Sequence, residues 1–216
     1  MDFLLFSRVQ FEITDPEMLI ECYCFQTNFY NSYDAIATVR KRKIEDVNNI
    51  GARIPTELLP KCTEIINRTK DLQIFNFIID TFLEQKDEDV DSCIRLLDEK
   101  VIQPLTQLNG IRLSTATKIL HTLYPSIIPI IDNTLQKKYK ELNPKWMENN
   151  YFQILSDYCK NLKIETNWNN ICQLYGILSK RGLVLSKIRI FDIIWWSYLK
   201  SQNPIQGKIV KWSSIK

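Results

Sequence analysis

Gly110 is one of only five glycines in a chain of 216 residues, and it interrupts two segments whose apolar residues recur at helical spacing. Before it stand Leu105 and Leu108; after it Ala116, Ile119, Leu120 and Leu123 mark one face of a new amphipathic helix. A glycine at such a break supplies the tight turn between two helices. The second helix gives way to an apolar run broken by Pro125 and Pro129. That run ends in Asp132, placed as the N-cap of a further helix. So few glycines, with few alternating β-branched runs, argue against a sandwich or barrel, while abundant Leu, Ile, Lys, Glu and Gln favour helices. The expected fold class is all-α.

The order of helix, glycine turn, helix, apolar run and aspartate over residues 108–134 resembles the helix-hairpin-helix DNA glycosylase superfamily, the group containing endonuclease III. Leu108, Gly110 and Ile111 match the hairpin's leucine, first glycine and apolar residue, and Ala116 matches the small residue that lets the two helices approach. Arg112 stands where the family has a second glycine, and Asn133 and Thr134 follow the aspartate where a histidine is usual. Ser114 falls where bifunctional members carry a catalytic lysine, and Asp132 falls at the catalytic aspartate. The resemblance implies a two-lobed helical domain with a central helix-hairpin-helix. It also implies a hydrolase acting in DNA repair that cleaves the N-glycosidic bond of a modified or mismatched base.

Cleavage of that bond passes through an electron-poor sugar, which a carboxylate held against the ring stabilises while it orients the attacking water. Asp132 is the candidate catalytic residue, although a capping aspartate needs no catalysis to explain it. The backbone around Gly110, Ile111, Arg112 and Ser114 is the candidate DNA-binding element, because N–H groups at a helix start donate to a phosphate oxygen and Arg112 adds a cation. Ser114 offers no amine to attack the sugar, which disfavours a lyase step and makes the enzyme monofunctional. Lys118, one turn on, shares the face of Ser114 and is an accessory candidate, with a solvent-facing lysine as the plainer reading. His121 lies off the apolar stripe and reads as a surface or boundary residue.

The rest of the chain narrows the alternatives. A net charge of +3 is too mild for a general polyanion binder. A nucleic-acid surface would need local clusters: Arg40 to Lys43, the lysines 137, 138 and 140, and four lysines after Asp192. The six cysteines, Cys22, Cys24, Cys62, Cys93, Cys159 and Cys172, are scattered, as suits buried reduced thiols. With His121 the single histidine, no metal and no cofactor is expected. No apolar run is long enough to span a bilayer, and the N-terminus lacks the positive flank of a signal peptide, so the protein is expected to be intracellular, cytoplasmic or nucleoid-associated, without a membrane partner.

Along the chain, alternating Phe3, Leu5, Val9, Phe11 and Ile13 suggest a short strand or packing arm. Helices are expected from Asp15 to about Phe25, from about Tyr33 through the basic run, from Pro55, over residues 72–83, and from Asp87 until Pro104 ends or kinks it. Beyond the hairpin and Asp132 turn, at about residues 103–134, four more should follow: to about Leu142, then 151–162, 168–181 and 185–200. No repeat or Gly/Ser-rich linker divides residues 1–216, which read as a single helical domain. Ile188, Phe191, Ile194, Trp195 and Tyr198 on the last helix read as core, clamping the N-terminal helices. A non-catalytic helix-hairpin-helix DNA-binding module and a helical interaction protein remain the alternative functions.

Overall fold

The computed structural model describes residues 1–6, 9–13, 44, 47, 54–68, 85–125, 127–147, 150–182 and 185–202. The helices expected over 15–25, from about 33 through the basic run, and over 72–83 lie outside the described residues. What is described is mainly helical. Two short strands, β1 (Asp2–Leu5) and β2 (Val9–Glu12), form an antiparallel hairpin in which Phe3 faces Phe11 and Leu5 faces Val9. The helices are α1 (Leu59–Asn67), α2 (Asp87–Leu97), α3 (Gln103–Thr106), α4 (Leu113–Leu123), α5 (Asn133–Leu142), α6 (Tyr151–Leu162), α7 (Glu165–Lys180) and α8 (Lys187–Gln202).

The acidic start of α2 puts Asp87, Glu88 and Asp89 in its first turn, against the positive helix end. Val90, Ile94, Leu97 and Val101 are buried, as their spacing predicts. Pro104 does not end this helix. A wide π turn over Asp98–Ile102 passes the chain into α3, with the Gln103 N–H bonded to the Asp98 carbonyl. Proline has no N–H to give and its ring crowds the carbonyl one turn back, and the widened turn accommodates both. The helix leading into the Gly110 turn is therefore the end of a continuous rod running from Asp87 to Thr106, and Leu108 already lies in the turn.

One continuous cluster of buried apolar side chains runs from Phe3 to Leu199. Ile188, Phe191, Ile194, Trp195 and Tyr198 of α8 all belong to it, as expected for core. Their described partners differ from the expectation, because the rings meet the N-terminal β-hairpin: Phe6 lies 3.7 Å from Trp195 and Phe11 lies 5.6 Å from Tyr198, centroid to centroid. Each fully enclosed Leu, Ile or Phe contributes about 1.5–3 kcal/mol relative to exposure, so this face of α8 fixes the hairpin firmly.

A polar device completes that attachment. The Asn167 side chain on α7 accepts from Leu4 N at 2.8 Å and donates to Leu4 O at 2.8 Å, satisfying the outer edge of β1 as a third strand would. Asn170 adds a bond to the Asp2 carbonyl at 2.8 Å. Asn167→Ala is expected to lower unfolding free energy by about 2 kcal/mol in urea denaturation, because both Leu4 backbone groups lose their partner at a part-buried position.

Candidate functional site

The turn between α3 and α4 is built as the sequence predicts. Gly110 has φ +88°, and a Cβ there would meet nothing within 4 Å, so glycine is required by backbone conformation and not by crowding. The turn is closed by Ile111 N–H donating to Leu108 O at 3.0 Å. Ile111 is buried beneath it and anchors the loop to the core. Arg112 is exposed and extended at φ −110°, ψ 176°, so a residue with a side chain takes the place of the family's second glycine without strain. The Arg112 side chain does not cap α4. The first-turn N–H groups of Leu113, Ser114 and Thr115 have no intrahelical acceptor, as at any helix start, and carry the positive end of the helix dipole.

Ala116 is fully buried, in keeping with the small residue wanted there. Ser114 and Lys118 are both half-buried on α4. Lys118 is not the plain solvent-facing lysine of the sequence reading: burial pulls its ammonium below the ordinary lysine range, and the nearby charge of Asp132 opposes that shift.

Asp132 is half-buried at the N-cap of α5, where its carboxylate accepts from Leu135 N at 2.8 Å. The segment leading to it is tied down from two helices. On the α4 side, Thr117 Oγ1 accepts from Ile131 N at 3.1 Å while donating to Leu113 O at 3.0 Å. Also on that side, His121 Nδ1 lies 2.5 Å from Ile128 O, which fixes Nδ1 as the protonated nitrogen since a carbonyl only accepts. His121 is therefore fully buried and not a surface residue. Its position beside the apolar stripe faces the returning 127–131 segment, a neighbour that helical periodicity does not reveal.

From the other side, Asp192 of α8 reaches Ile130 N at 3.1 Å through Oδ2 and accepts from Tyr158 Oη at 2.7 Å through Oδ1. Arg189 Nη1 stands 3.8 Å from Oδ2. Enclosure dominates this carboxyl, pushing its pKa up to about 7 against the opposing pull of Arg189, Tyr158 and the Ile130 N–H, with the Asp132 charge adding to the rise. Burial and the adjacent carboxylate likewise hold the Tyr158 hydroxyl well above the ordinary tyrosine range.

Tyr158, Arg189 and Asp192 are the residues that the sequence reading did not single out. A signal was present: an aspartate set among Ile190, Phe191, Ile193 and Ile194 must bring partners with it or remain unionised. The structure thus brings Asp132 within electrostatic reach of Lys118 and, separately, of Asp192, while Gly110 and Arg112 sit at the opposite end of α4 from the start of the Asp132 segment. Of the basic clusters, Lys137, Lys138 and Lys140 lie on α5, with Lys138 paired to Glu141 at 3.1 Å. The Arg40 to Lys43 run and the lysines past residue 202 lie outside the described residues. Cys62, Cys93, Cys159 and Cys172 are free thiols, Cys62 and Cys159 buried, and Cys22 and Cys24 lie outside the described residues.

These features define a mainly helical protein in which a glycine turn and a tethered, capping aspartate flank one helix. The chain belongs to a family of unknown function, DUF6308, whose model matches residues 79–199, more than half of its length and the whole stretch from α2 to the Asp192 network. Neither the comparison with curated proteins nor that with solved structures gives a match. No helix among the described residues is long and apolar enough to cross a membrane.

Proposed function

We propose that this protein is a monofunctional DNA glycosylase, which binds the DNA backbone at the Gly110 turn and hydrolyses the N-glycosidic bond of a modified or mismatched base with Asp132. The observation that carries the reading is the placement of Asp132. Asp132 is half-buried, the backbone just before it is tethered to α4 and α8, and it follows the uncapped N-terminus of α4 in chain order. A flipped nucleotide whose phosphate is held by the N–H groups of Leu113 to Thr115 presents its sugar to a fixed anion, which stabilises the cationic sugar and orients water. Ser114 has no amine to form a covalent intermediate, so the product is an intact strand with an abasic site.

The test is incubation with duplex and single-stranded oligonucleotides carrying a panel of modified and mismatched bases, followed by mild alkali to reveal abasic sites. Base release from at least one substrate is expected. Absence of release from all of them, with binding retained, leaves the second reading. That reading, a non-catalytic DNA-binding module, is favoured by the Leu135 N–H that donates to the Asp132 carboxylate, because capping by itself accounts for an aspartate there.

In either case DNA binding rests on phosphate contacts. The affinity is expected to fall by about ten-fold or more between low and moderate salt, as counterion release requires for a few neutralised phosphates. Arg112→Ala should weaken binding to all sequences alike and make the salt dependence shallower. Fluorescence anisotropy at two salt concentrations measures both, and binding that ignores salt would remove the phosphate contact from the proposal.

A further inference from the structure

We infer that Asp192 is the positioning residue for Asp132, an inference that rests on the glycosylase reading. Asp192 stands on α8, far along the chain, yet its Oδ2 holds the Ile130 N–H at 3.1 Å, two residues before Asp132. Asp132 follows only two residues later, so fixing the backbone at Ile130 limits where the chain can deliver Asp132. The Asp192 carboxyl is itself held, by Tyr158 Oη at 2.7 Å from α6 and by Arg189 Nη1 at 3.8 Å from its own helix. The tether is thus braced from α6 as well as from α8. Thr117 holds the neighbouring Ile131 N–H at 3.1 Å from α4, so the segment is gripped from opposite flanks before Asp132 caps α5.

Asp192 does not touch a substrate, because it is buried and both of its oxygens are engaged by the protein. Its contribution is geometric: a carboxylate displaced by an ångström from a reacting sugar loses most of its effect on the rate.

The experiment compares Asp192→Ala with Asp192→Asn, whose side-chain oxygen can still accept from Ile130. Asp91→Ala serves as a control, since it removes a bridge to Ser156 and Lys160 that does not touch the segment. In Asp192→Ala, hydrogen exchange at the Ile130 amide is expected to quicken by about ten-fold or more. In the same variant kcat for base release should fall by between about ten- and a hundred-fold, with DNA affinity within about two-fold of wild type. Asp192→Asn should recover most of both losses, and Asp91→Ala should show neither.

An Ile130 amide still protected in Asp192→Ala, or an Asn variant no better than Ala, overturns the proposal. Where Asp192→Ala does not fold, Tyr158→Phe decides, because it frees the carboxyl at Oδ1 alone; faster Ile130 exchange in that variant supports the tether, and unchanged exchange overturns it. If the wild-type protein releases no base from any substrate, the glycosylase reading fails, and the exchange rates still report whether Asp192 holds the segment.

Discussion

Asp132→Asn is expected to lower base release by about two orders of magnitude while leaving the protein folded and bound to DNA, the scale of losing one electrostatic stabiliser of a developing cation. Asparagine keeps the size of the side chain and a carbonyl oxygen able to accept from Leu135 N, so the cap on α5 survives. What is lost is the charge that the proposed mechanism sets against the sugar. Single-turnover kinetics on the best substrate of the panel, with circular dichroism and anisotropy on the same sample, separate the three quantities. Ser114→Ala is expected to be mild by comparison. A fully active Asp132→Asn protein would return Asp132 to an architectural role.

The second large effect falls on stability. Asp192→Ala is expected to cost about 3–5 kcal/mol at neutral pH, measured by urea denaturation, because it leaves the Arg189 guanidinium, the Tyr158 hydroxyl and the Ile130 N–H without their shared acceptor inside the core. Asp192 also gives the wild type a characteristic pH dependence. Its ordinary value is 3.8 and its value in the fold is about 7, so between these limits the folded protein keeps a proton that the unfolded chain releases.

The stabilisation from that proton is complete below about pH 4 and is lost as pH rises through about 7. The burial of Asp98 raises its carboxyl too and adds to the same slope, whereas the lowered carboxyl of Asp91 acts only below about pH 4, outside this window. Asp192→Asn should therefore flatten the decline in melting temperature between pH 4 and 7. A slope unchanged in that variant would assign the titration to other carboxyls.

Residues with a local cause for their conformation were legible from the sequence alone. Gly110 sits at positive φ because an L side chain resists that region, and the interruption of two apolar periodicities marks it without any knowledge of the fold. Asp132 caps α5, Asp87 to Asp89 open α2, and Val90, Ile94, Leu97 and Val101 face the core, since caps, dipoles and helical periodicity act within a few residues of chain. Helix α6 begins at Tyr151 and ends at Leu162 as its pattern predicts.

Where the cause is distant in the chain, the sequence was silent. His121 is buried because Ile128 returns over it, Asn167 is buried because β1 lies against it, and Asp192 is buried because α6 and the Ile130 segment close around it. Each is a polar side chain whose partner is a backbone group or hydroxyl brought in by another element, and periodicity encodes only which face of an element is apolar. The position of Asp132 in the chain was therefore determined by the sequence, through the capping preference of an aspartate at a helix start. Where the backbone delivers it was decided by the tertiary structure, because the bonds that hold residues 130 and 131 come from helices α8 and α4, which only folding brings together.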